Sequence, residues 1–177
     1  MPDQQDIRCV SLDVDGVLTD GRLFVDDAGR GGRSFHVHDG LAIEWFQQLG
    51  GVVVICSGKA AESIATRARE LGIEHVIQGS RDKLADLERL LKRLSLSLEQ
   101  TAVIGDDLPD VALMRRCRFP IAVANAVREV KAAARLVTQR AGGDGAVREA
   151  IEHLLQLSGR WPEVLAPYGI PAAGRPE

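Results

Sequence analysis

Short apolar runs recur along the chain and predict the strands of a parallel sheet. The six runs, each rich in Val, Ile, Leu or Ala, are residues 7–14, 51–56, 75–77, 101–105, 121–123 and 136–137. Between them, apolar residues recur at helical spacing. Asp39 and Asn125 are the expected N-caps of two of these helices. The alternation predicts an α/β fold, a Rossmann-like parallel sheet with helices on both faces.

Two segments do not fit this alternation. Residues 22–37 alternate apolar and polar positions around a glycine-rich centre, which predicts a β-hairpin flap with His36 and His38 on one face. Residues 158–177 contain four of the seven prolines and predict a Pro-rich C-terminal tail without a regular helix. Residues 1–157 are therefore expected to form a single domain that carries the hairpin.

Composition narrows the classes of partner. The 177 residues include 22 Lys plus Arg and 25 Asp plus Glu, a net charge of −3, and only 4% are aromatic. This balance argues against nucleic acid as a partner. No uncharged stretch is long enough to cross a membrane, and the polar, acidic residues 1–6 are unlike a signal peptide. We therefore expect a cytoplasmic protein.

Polar residues follow three of the predicted strands. Ligands bind at the carboxyl ends of such strands. Clustered carboxylates repel one another unless a cation lies among them, and oxygen ligands beside a phosphate suit Mg²⁺. The residues concerned are Asp13 and Asp15 after the first strand, Ser57, Gly58 and Lys59 after the second, and Asp106, Asp107 and Asp110 after the fourth.

These residue types are suited to phosphoryl transfer. Asp13 can attack phosphorus as a carboxylate nucleophile, and Asp15 can act as general acid and then general base. Lys83 begins a predicted helix, where a cation opposes the helix dipole, so we expect it to bind phosphate together with the Ser57 hydroxyl. Asp107 and Asp110 either support the site or only cap the following helix.

The motifs DVDGVLTDG, SGK, Lys83 and GDDLPD, in this order, resemble the four motifs of the haloacid dehalogenase phosphatase superfamily across residues 7–157. The resemblance implies that Asp13 is the nucleophile, that Asp15 is the acid/base, and that Ser57 and Lys83 bind the phosphoryl group. It also implies Mg²⁺ bound by the Asp13 carboxylate, the Asp15 carbonyl and Asp106, with Asp107 and Asp110 in support.

The intervals between the motifs are too short for a cap domain, so the chain is similar to capless members. The hairpin and the segments IQGSRDKL and AGGDGAVREAIEHLL resemble the 3-deoxy-D-manno-octulosonate 8-phosphate phosphatases. That family implies a role in lipopolysaccharide biosynthesis. It also implies a homotetramer joined through its hairpins, in which a neighbour's tail helps to close the active site.

Two positions depart from that family. Lys59 and His38 stand where the family has arginine, and with Gly58 they are the candidate substrate-binding residues. Losing two guanidinium groups removes bidentate partners for a substrate carboxylate. These departures keep a phosphatase of 2-keto-3-deoxynononate 9-phosphate as an alternative. Two further alternatives also stay open: a capless phosphatase of macromolecules and a receiver-like phosphoacceptor module. The last is disfavoured because receivers carry the acceptor on a middle strand.

Overall fold

A computed structural model describes residues 7–29 and 31–171. The strands are β1 (Cys9–Leu12), β2 (Phe24–Val25), β3 (Gly31–Gly32), β4 (Val52–Cys56), β5 (His75–Ile77), β6 (Thr101–Gly105), β7 (Phe119–Ala122) and β8 (Leu136–Val137). The helices are α1 (Val37–Gln48), α2 (Glu62–Glu70), α3 (Lys83–Arg93), α4 (Leu108–Met114), α5 (Arg128–Ala133), α6 (Ala146–Leu157) and α7 (Trp161–Leu165).

Six of the strands form one parallel sheet in the order β5-β4-β1-β6-β7-β8. Strand β1 lies at its centre, and Leu12 is in register with Ile55 of β4 and Ile104 of β6. All three side chains are buried, because both faces of the sheet are covered by helices. The chain first adds strands on one side of β1 and then on the other, so the topological switch point lies beside β1. Ligands bind at such a point.

The helices divide between the two faces. Helix α1 packs against α6, while α3 packs against α4 and α4 against α5. Because parallel crossovers are right-handed, reversing the direction of strand addition moves the helices to the opposite face. The predicted α/β fold with helices on both faces is confirmed.

The hairpin is shorter than predicted. Strands β2 and β3 pair over two residues each, and the chain enters α1 at Val37. The histidines therefore lie at the start of a helix and not on the hairpin. His36 is the N-cap, and its ring accepts a hydrogen bond from the backbone N–H of His38. The prediction that Asp39 caps α1 is wrong, because its carboxylate accepts instead from the Arg148 N–H in the first turn of α6.

Two further expectations fail. Asn125 does not cap α5, whose N-cap is Val127. The prediction of no regular helix after residue 157 is also wrong, because α7 and a 3₁₀ turn occupy Trp161–Tyr168. Pro162 lies in the first turn of α7, where a missing N–H costs no hydrogen bond. Residues 172–177 of the predicted tail lie outside the described residues. Within the described ranges, no helix is long and apolar enough to cross a membrane.

Candidate active site

Three carboxylates meet at the switch point of the sheet. Asp13 follows β1, while Asp106 and Asp110 lie after β6 and in the first turn of α4. One oxygen from each lies within 4.8 Å of the others. The parallel register produces this meeting, since Leu12, the last residue of β1, is in register with Ile104, one residue before the end of β6. The sequence had predicted that Asp13 and Asp106 come together, and Asp110 joins them directly.

Lys83 is the cation of this cluster. Its ammonium nitrogen lies 2.9 Å from Asp13 Oδ1 and 2.7 Å from Asp110 Oδ1. Asp82 caps α3 by accepting from the Ala85 N–H, which places Lys83 in the first turn, facing inward. The side chain is 6% exposed, so the ion pairs are sheltered from water. The sequence indicated that Lys83 belongs to this site, and it is here the direct partner of the Asp13 carboxylate.

Asp110 also organises the loop that carries Asp106. Its second oxygen, Oδ2, accepts hydrogen bonds from the backbone N–H groups of Asp106 and Asp107 at 3.2 and 3.5 Å. Asp107 is exposed and forms the reciprocal half of the capping box of α4. The two roles predicted for these residues, supporting the site and capping the helix, are therefore divided between them. Asp107 caps the helix, whereas Asp110 both caps it and contacts Lys83.

Asp106 has the properties of a cation ligand. Its Oδ1 is buried and accepts no hydrogen bond from any residue in the described ranges. Burial, followed by the charges of Asp13, Asp110 and Asp107, raises the pKa of Asp106 to about 7. A buried, unpartnered carboxylate oxygen beside two more carboxylates is costly unless a cation binds there. The donor set consists of hard oxygen ligands and therefore fits Mg²⁺.

Burial and the neighbouring Asp110 raise the pKa of Asp13, although Lys83 opposes the shift. For Lys83, burial lowers the pKa. The carboxylates of Asp110 and Asp13 raise it by more than burial lowers it, so the net shift is upward. Lys83 is therefore a permanent positive charge beside Asp13, placed to attract an anion such as a phosphate.

The loop after β1 is held by residues that the sequence analysis did not assign to the site. Gly16 has φ of +96°, and a Cβ there would overlap the Asp106 carboxylate. The Asn125 side chain donates to the Gly16 carbonyl at 3.1 Å and accepts from the Gly142 N–H at 2.6 Å. Asn125 thus connects the loop after β1 to the loop before α6. Its position before a predicted helix had indicated only a cap.

Ser57 directly follows β4 and is buried. Its hydroxyl oxygen accepts from the Lys59 N–H at 3.2 Å, which forms a tight turn at the end of the strand. Gly58 and Lys59 are exposed at this turn. The hydroxyl hydrogen of Ser57 can still be donated to a phosphate oxygen, since the oxygen acts here as acceptor.

Asp15 does not share the carboxylate cluster. Its two oxygens accept from Arg33, with Nε–Oδ1 of 2.7 Å and Nη2–Oδ2 of 3.1 Å. Arg33 lies just after β3, so the hairpin supplies the partner of the predicted acid/base residue. The sequence analysis missed Arg33, because no local pattern distinguishes it from the other hairpin arginines.

His38 lies apart from the motif residues. It lines a groove of about 550 Å³ together with Gln139, Arg140, Gly145, Arg148, Glu149 and Glu152. The structure therefore brings together Asp13, Asp106, Asp110 and Lys83, but it does not bring His38 into that group.

The cluster presents a carboxylate, a fixed cation and a cation-binding set of oxygens at one point, which suits chemistry on a phosphate ester.

Comparison with known proteins agrees with this arrangement. A family model described as haloacid dehalogenase-like hydrolase matches residues 73–151. Over 159 residues the chain is 38% identical to the 3-deoxy-D-manno-octulosonate 8-phosphate phosphatase of Escherichia coli K12, covering 90% of this chain and 85% of that protein.

Solved structures are similar over the same length. The phosphatase of that name from Moraxella catarrhalis, in complex with magnesium, phosphate and 3-deoxy-D-manno-octulosonate, has a TM-score of 0.91 and 37% identity, covering 93% of this chain and 95% of that one. The cobalt-bound enzyme of Haemophilus influenzae has a TM-score of 0.86 and 38% identity, covering 90% and 93%. In both comparisons the similarity covers at least 90% of this chain.

Proposed function

We propose a substrate and a mechanism from one premise: the chain belongs to the haloacid dehalogenase-like hydrolases, in the family of 3-deoxy-D-manno-octulosonate 8-phosphate phosphatases. It is a phosphatase. The proposed reaction is the Mg²⁺-dependent removal of the terminal phosphate from 3-deoxy-D-manno-octulosonate 8-phosphate. The observation that carries this proposal is the buried contact of Lys83 with both Asp13 and Asp110 beside the unpartnered Asp106 oxygen.

In the proposed first step, a carboxylate oxygen of Asp13 attacks phosphorus, and the bond from phosphorus to the sugar oxygen breaks. Asp15 gives its proton to the departing alkoxide. In the second step Asp15 takes a proton from water, whose oxygen attacks phosphorus and breaks the bond to Asp13. Inorganic phosphate leaves, and both carboxyl groups return to their starting protonation states.

The proposed phosphate contacts are Ser57 and Lys83, with Asp110 holding Lys83 in place. The Asp13 and Asp106 carboxylates and the Asp15 carbonyl would hold Mg²⁺, which when bound would neutralise phosphate charge and polarise the phosphoryl group. Asp107 supports this set indirectly, through the cap of α4. The buried, unpartnered oxygen of Asp106 supports the assignment of the cation.

Lys59 is the proposed partner of the substrate carboxylate, because it is exposed beside the phosphate site and Gly58 leaves the turn open. His38 remains a candidate on its sequence position alone, since its groove includes none of the motif residues. A lysine is a point charge and holds a carboxylate more loosely than an arginine fork does. The presence of Lys59 in place of an arginine therefore keeps the nine-carbon 2-keto-3-deoxynononate 9-phosphate as an alternative substrate.

The substrate proposal is tested by measuring kcat/KM with Mg²⁺ on a matched panel. The panel holds the eight-carbon and nine-carbon sugar-acid phosphates, a neutral hexose phosphate, a phosphopeptide and a 5′-phosphorylated oligonucleotide. We expect the eight-carbon acid to exceed the neutral sugar by about tenfold or more, the worth of one charged contact. A nine-carbon preference would favour the alternative. A preference for either macromolecule, or no preference for acids, would overturn the substrate.

A homotetramer assembled through the hairpin is part of the proposal. Leu23, Phe24 and Val25 are adjacent and are 49%, 69% and 63% exposed. Such a patch on an isolated two-stranded ribbon is typical of an interface. We expect Phe24→Asp to lower the mass seen by light scattering, with Val137→Asp, another exposed apolar position, as the control. A monomeric parent protein would contradict the assembly.

We further propose a cytoplasmic location and a product used in lipopolysaccharide biosynthesis.

A further inference from the structure

The contact between Arg33 and Asp15 is a sheltered ion pair outside the carboxylate cluster. The Arg33 side chain is 6% exposed and that of Asp15 is 18% exposed. The guanidinium has a second anchor, because its Nη1 donates to Ser63 Oγ at 3.1 Å, in the first turn of α2. Arg33 therefore ties the hairpin to the sheet domain through two different elements.

This contact occupies the residue that the proposed reaction needs. Both Asp15 oxygens accept from the guanidinium in a bidentate arrangement, the strongest neutralising contact a carboxylate finds in a protein. While the fork is in place, each Asp15 oxygen accepts a charge-assisted hydrogen bond that keeps the carboxylate beside the hairpin and outside the cluster of Asp13, Asp106 and Asp110. Proton transfer requires an Asp15 oxygen within hydrogen-bond reach of the reacting group. Turnover therefore needs Arg33 to release at least one of the two oxygens.

A groove beside the hairpin suggests what could cause the release. It encloses about 540 Å³, within the range of small-molecule sites. Its lining residues include two arginines, Arg33 and Arg22, and one acidic residue, Asp20, which pairs with Arg22. The remaining lining residues are Leu23, Phe24, Gly32 and Ser34, so in the proposed tetramer this groove would border the subunit interface. The excess of one positive charge among these residues favours a small organic acid in this groove.

We propose that Arg33 is a clamp on Asp15 that opens when the substrate's own carboxylate arrives and takes its place. The proposal rests on the proposed function, because it needs a substrate with both a phosphate and a carboxylate. Arg33 would then be a specificity-determining residue: it binds the acid group of the substrate together with Lys59 and, by moving, frees the acid/base residue.

The exchange of partners costs little free energy because the two partners are alike. The guanidinium loses one bidentate carboxylate and gains another, so the contact energy nearly cancels. A ligand shifts an equilibrium only by its differential affinity for the two states. The substrate carboxylate supplies that difference, since it contacts only the released Arg33. The hairpin can follow this movement, because its strands pair over only two residues each.

The clamp makes a prediction about substrates. A phosphate ester with no carboxylate, such as p-nitrophenyl phosphate, reaches Asp13 but leaves Arg33 on Asp15. Its turnover is then limited by the small fraction of protein in which the clamp is open. A sugar-acid phosphate opens the clamp as it binds.

The test compares Arg33→Met with the parent protein on both substrates. We expect kcat/KM for the sugar-acid phosphate to fall about tenfold to hundredfold, the loss of a charged contact. For the aryl phosphate we expect kcat to equal or exceed that of the parent. Calorimetry with the unphosphorylated sugar acid should show weaker binding to Arg33→Met. Arg33→Lys, which keeps the charge and loses the fork, should lie between the two.

Arg69→Met is the matched control, since Arg69 is exposed on α2 and pairs with Glu62. It should leave both substrates unchanged, and circular dichroism checks that each variant is folded. Equal loss on the two substrates would overturn the clamp, because Arg33 would then only hold the hairpin. Unchanged kcat/KM for the sugar acid, or unchanged binding of it, would overturn it as well.

A failure of the proposed function can be distinguished from a failure of the clamp. If the parent protein shows no preference for acids over neutral sugar phosphates, the substrate assignment fails, whatever Arg33 does. If the parent does prefer acids and Arg33→Met keeps that preference, only the clamp fails.

Discussion

The ammonium nitrogen of Lys83 lies 2.9 Å from Asp13 Oδ1, in a contact where the two side chains are 6% and 13% exposed. The residues come from different elements, Asp13 from the end of β1 and Lys83 from the first turn of α3. The same nitrogen contacts Asp110, so one cation serves two carboxylates. The contact therefore contributes to the stability of the fold and also takes part in the proposed chemistry.

Replacing Lys83 should therefore affect both properties. Lys83→Met leaves Asp13, Asp106 and Asp110 buried without their cation, and removing one partner of a buried ion pair costs about 3–5 kcal/mol. We expect a decrease of that order in the free energy of unfolding by urea. We also expect at least about a hundredfold loss of kcat, as for removal of one preorganised charge stabiliser.

Lys92→Met is the control for this experiment, since Lys92 is exposed in the last turn of the same helix. It should change neither quantity by a measurable amount. If Lys83→Met were as stable and as active as Lys92→Met, the assignment of Lys83 would be wrong.

The raised pKa of Asp106 predicts a pH dependence of stability in protein treated with EDTA. The folded-state pKa of about 7 lies above the ordinary value of 3.8, so the folded protein holds this proton more tightly than the unfolded chain does. Stability should then fall as the pH rises from about 4 to about 7. We expect a lower melting temperature at pH 7.5 than at pH 5.5, and a smaller difference in Asp106→Asn.

Magnesium should reverse the effect at pH 7.5. A cation that binds only the folded state raises its stability, so Mg²⁺ should raise the melting temperature of the parent protein. Asp107→Asn, altered at the exposed neighbour, should keep this response, whereas Asp106→Asn should lose most of it. An equal response in both variants would contradict the proposed cation site.

The C-terminal segment is fastened by Trp45, whose ring Nε1 donates to Tyr168 Oη at 3.1 Å. Arg148 stacks over the same ring, 4.0 Å from its centroid. Removing the hydroxyl in Tyr168→Phe should cost about 1 kcal/mol or less. We expect faster amide hydrogen exchange, measured by mass spectrometry, over residues 161–168, with no change in α3.

A double-mutant cycle with Trp45→Phe checks the cause of this change. Both substitutions remove the same hydrogen bond, so their effects on the free energy of unfolding should be less than additive. Full additivity would mean that the hydrogen bond contributes nothing to holding the segment.

The strands and the main site residues were predictable because their signals are local. Residues 52–56 are Val and Ile with one Cys, residues 101–105 contain Ala, Val and Ile between Thr and Gly, and these runs form β4 and β6. The acidic residues follow these strands directly, so the parallel topology brings them together. Asp13 and Asp106 were therefore predictable as neighbours.

The residues that the sequence did not reveal act over long distances in the chain. Asn125 contacts Gly16, and Arg33 contacts both Asp15 and Ser63, and nothing in their local sequence specifies these partners. The error at Asp39 has the same cause: its carboxylate has a partner in α6, so His36 is left to cap α1. The prolines after residue 157 were misjudged because the first turn of a helix tolerates them.

The central claim is that Asp13 carries the phosphoryl group during turnover. The most direct measurement is to quench the enzyme in acid during steady-state hydrolysis with Mg²⁺, reduce with borohydride, and identify the modified residue by mass spectrometry. An aspartyl phosphate is converted to homoserine by this treatment. We predict homoserine at position 13, dependent on substrate and absent in Asp13→Asn. A modified residue elsewhere, or substantial turnover in Asp13→Asn, would contradict the account.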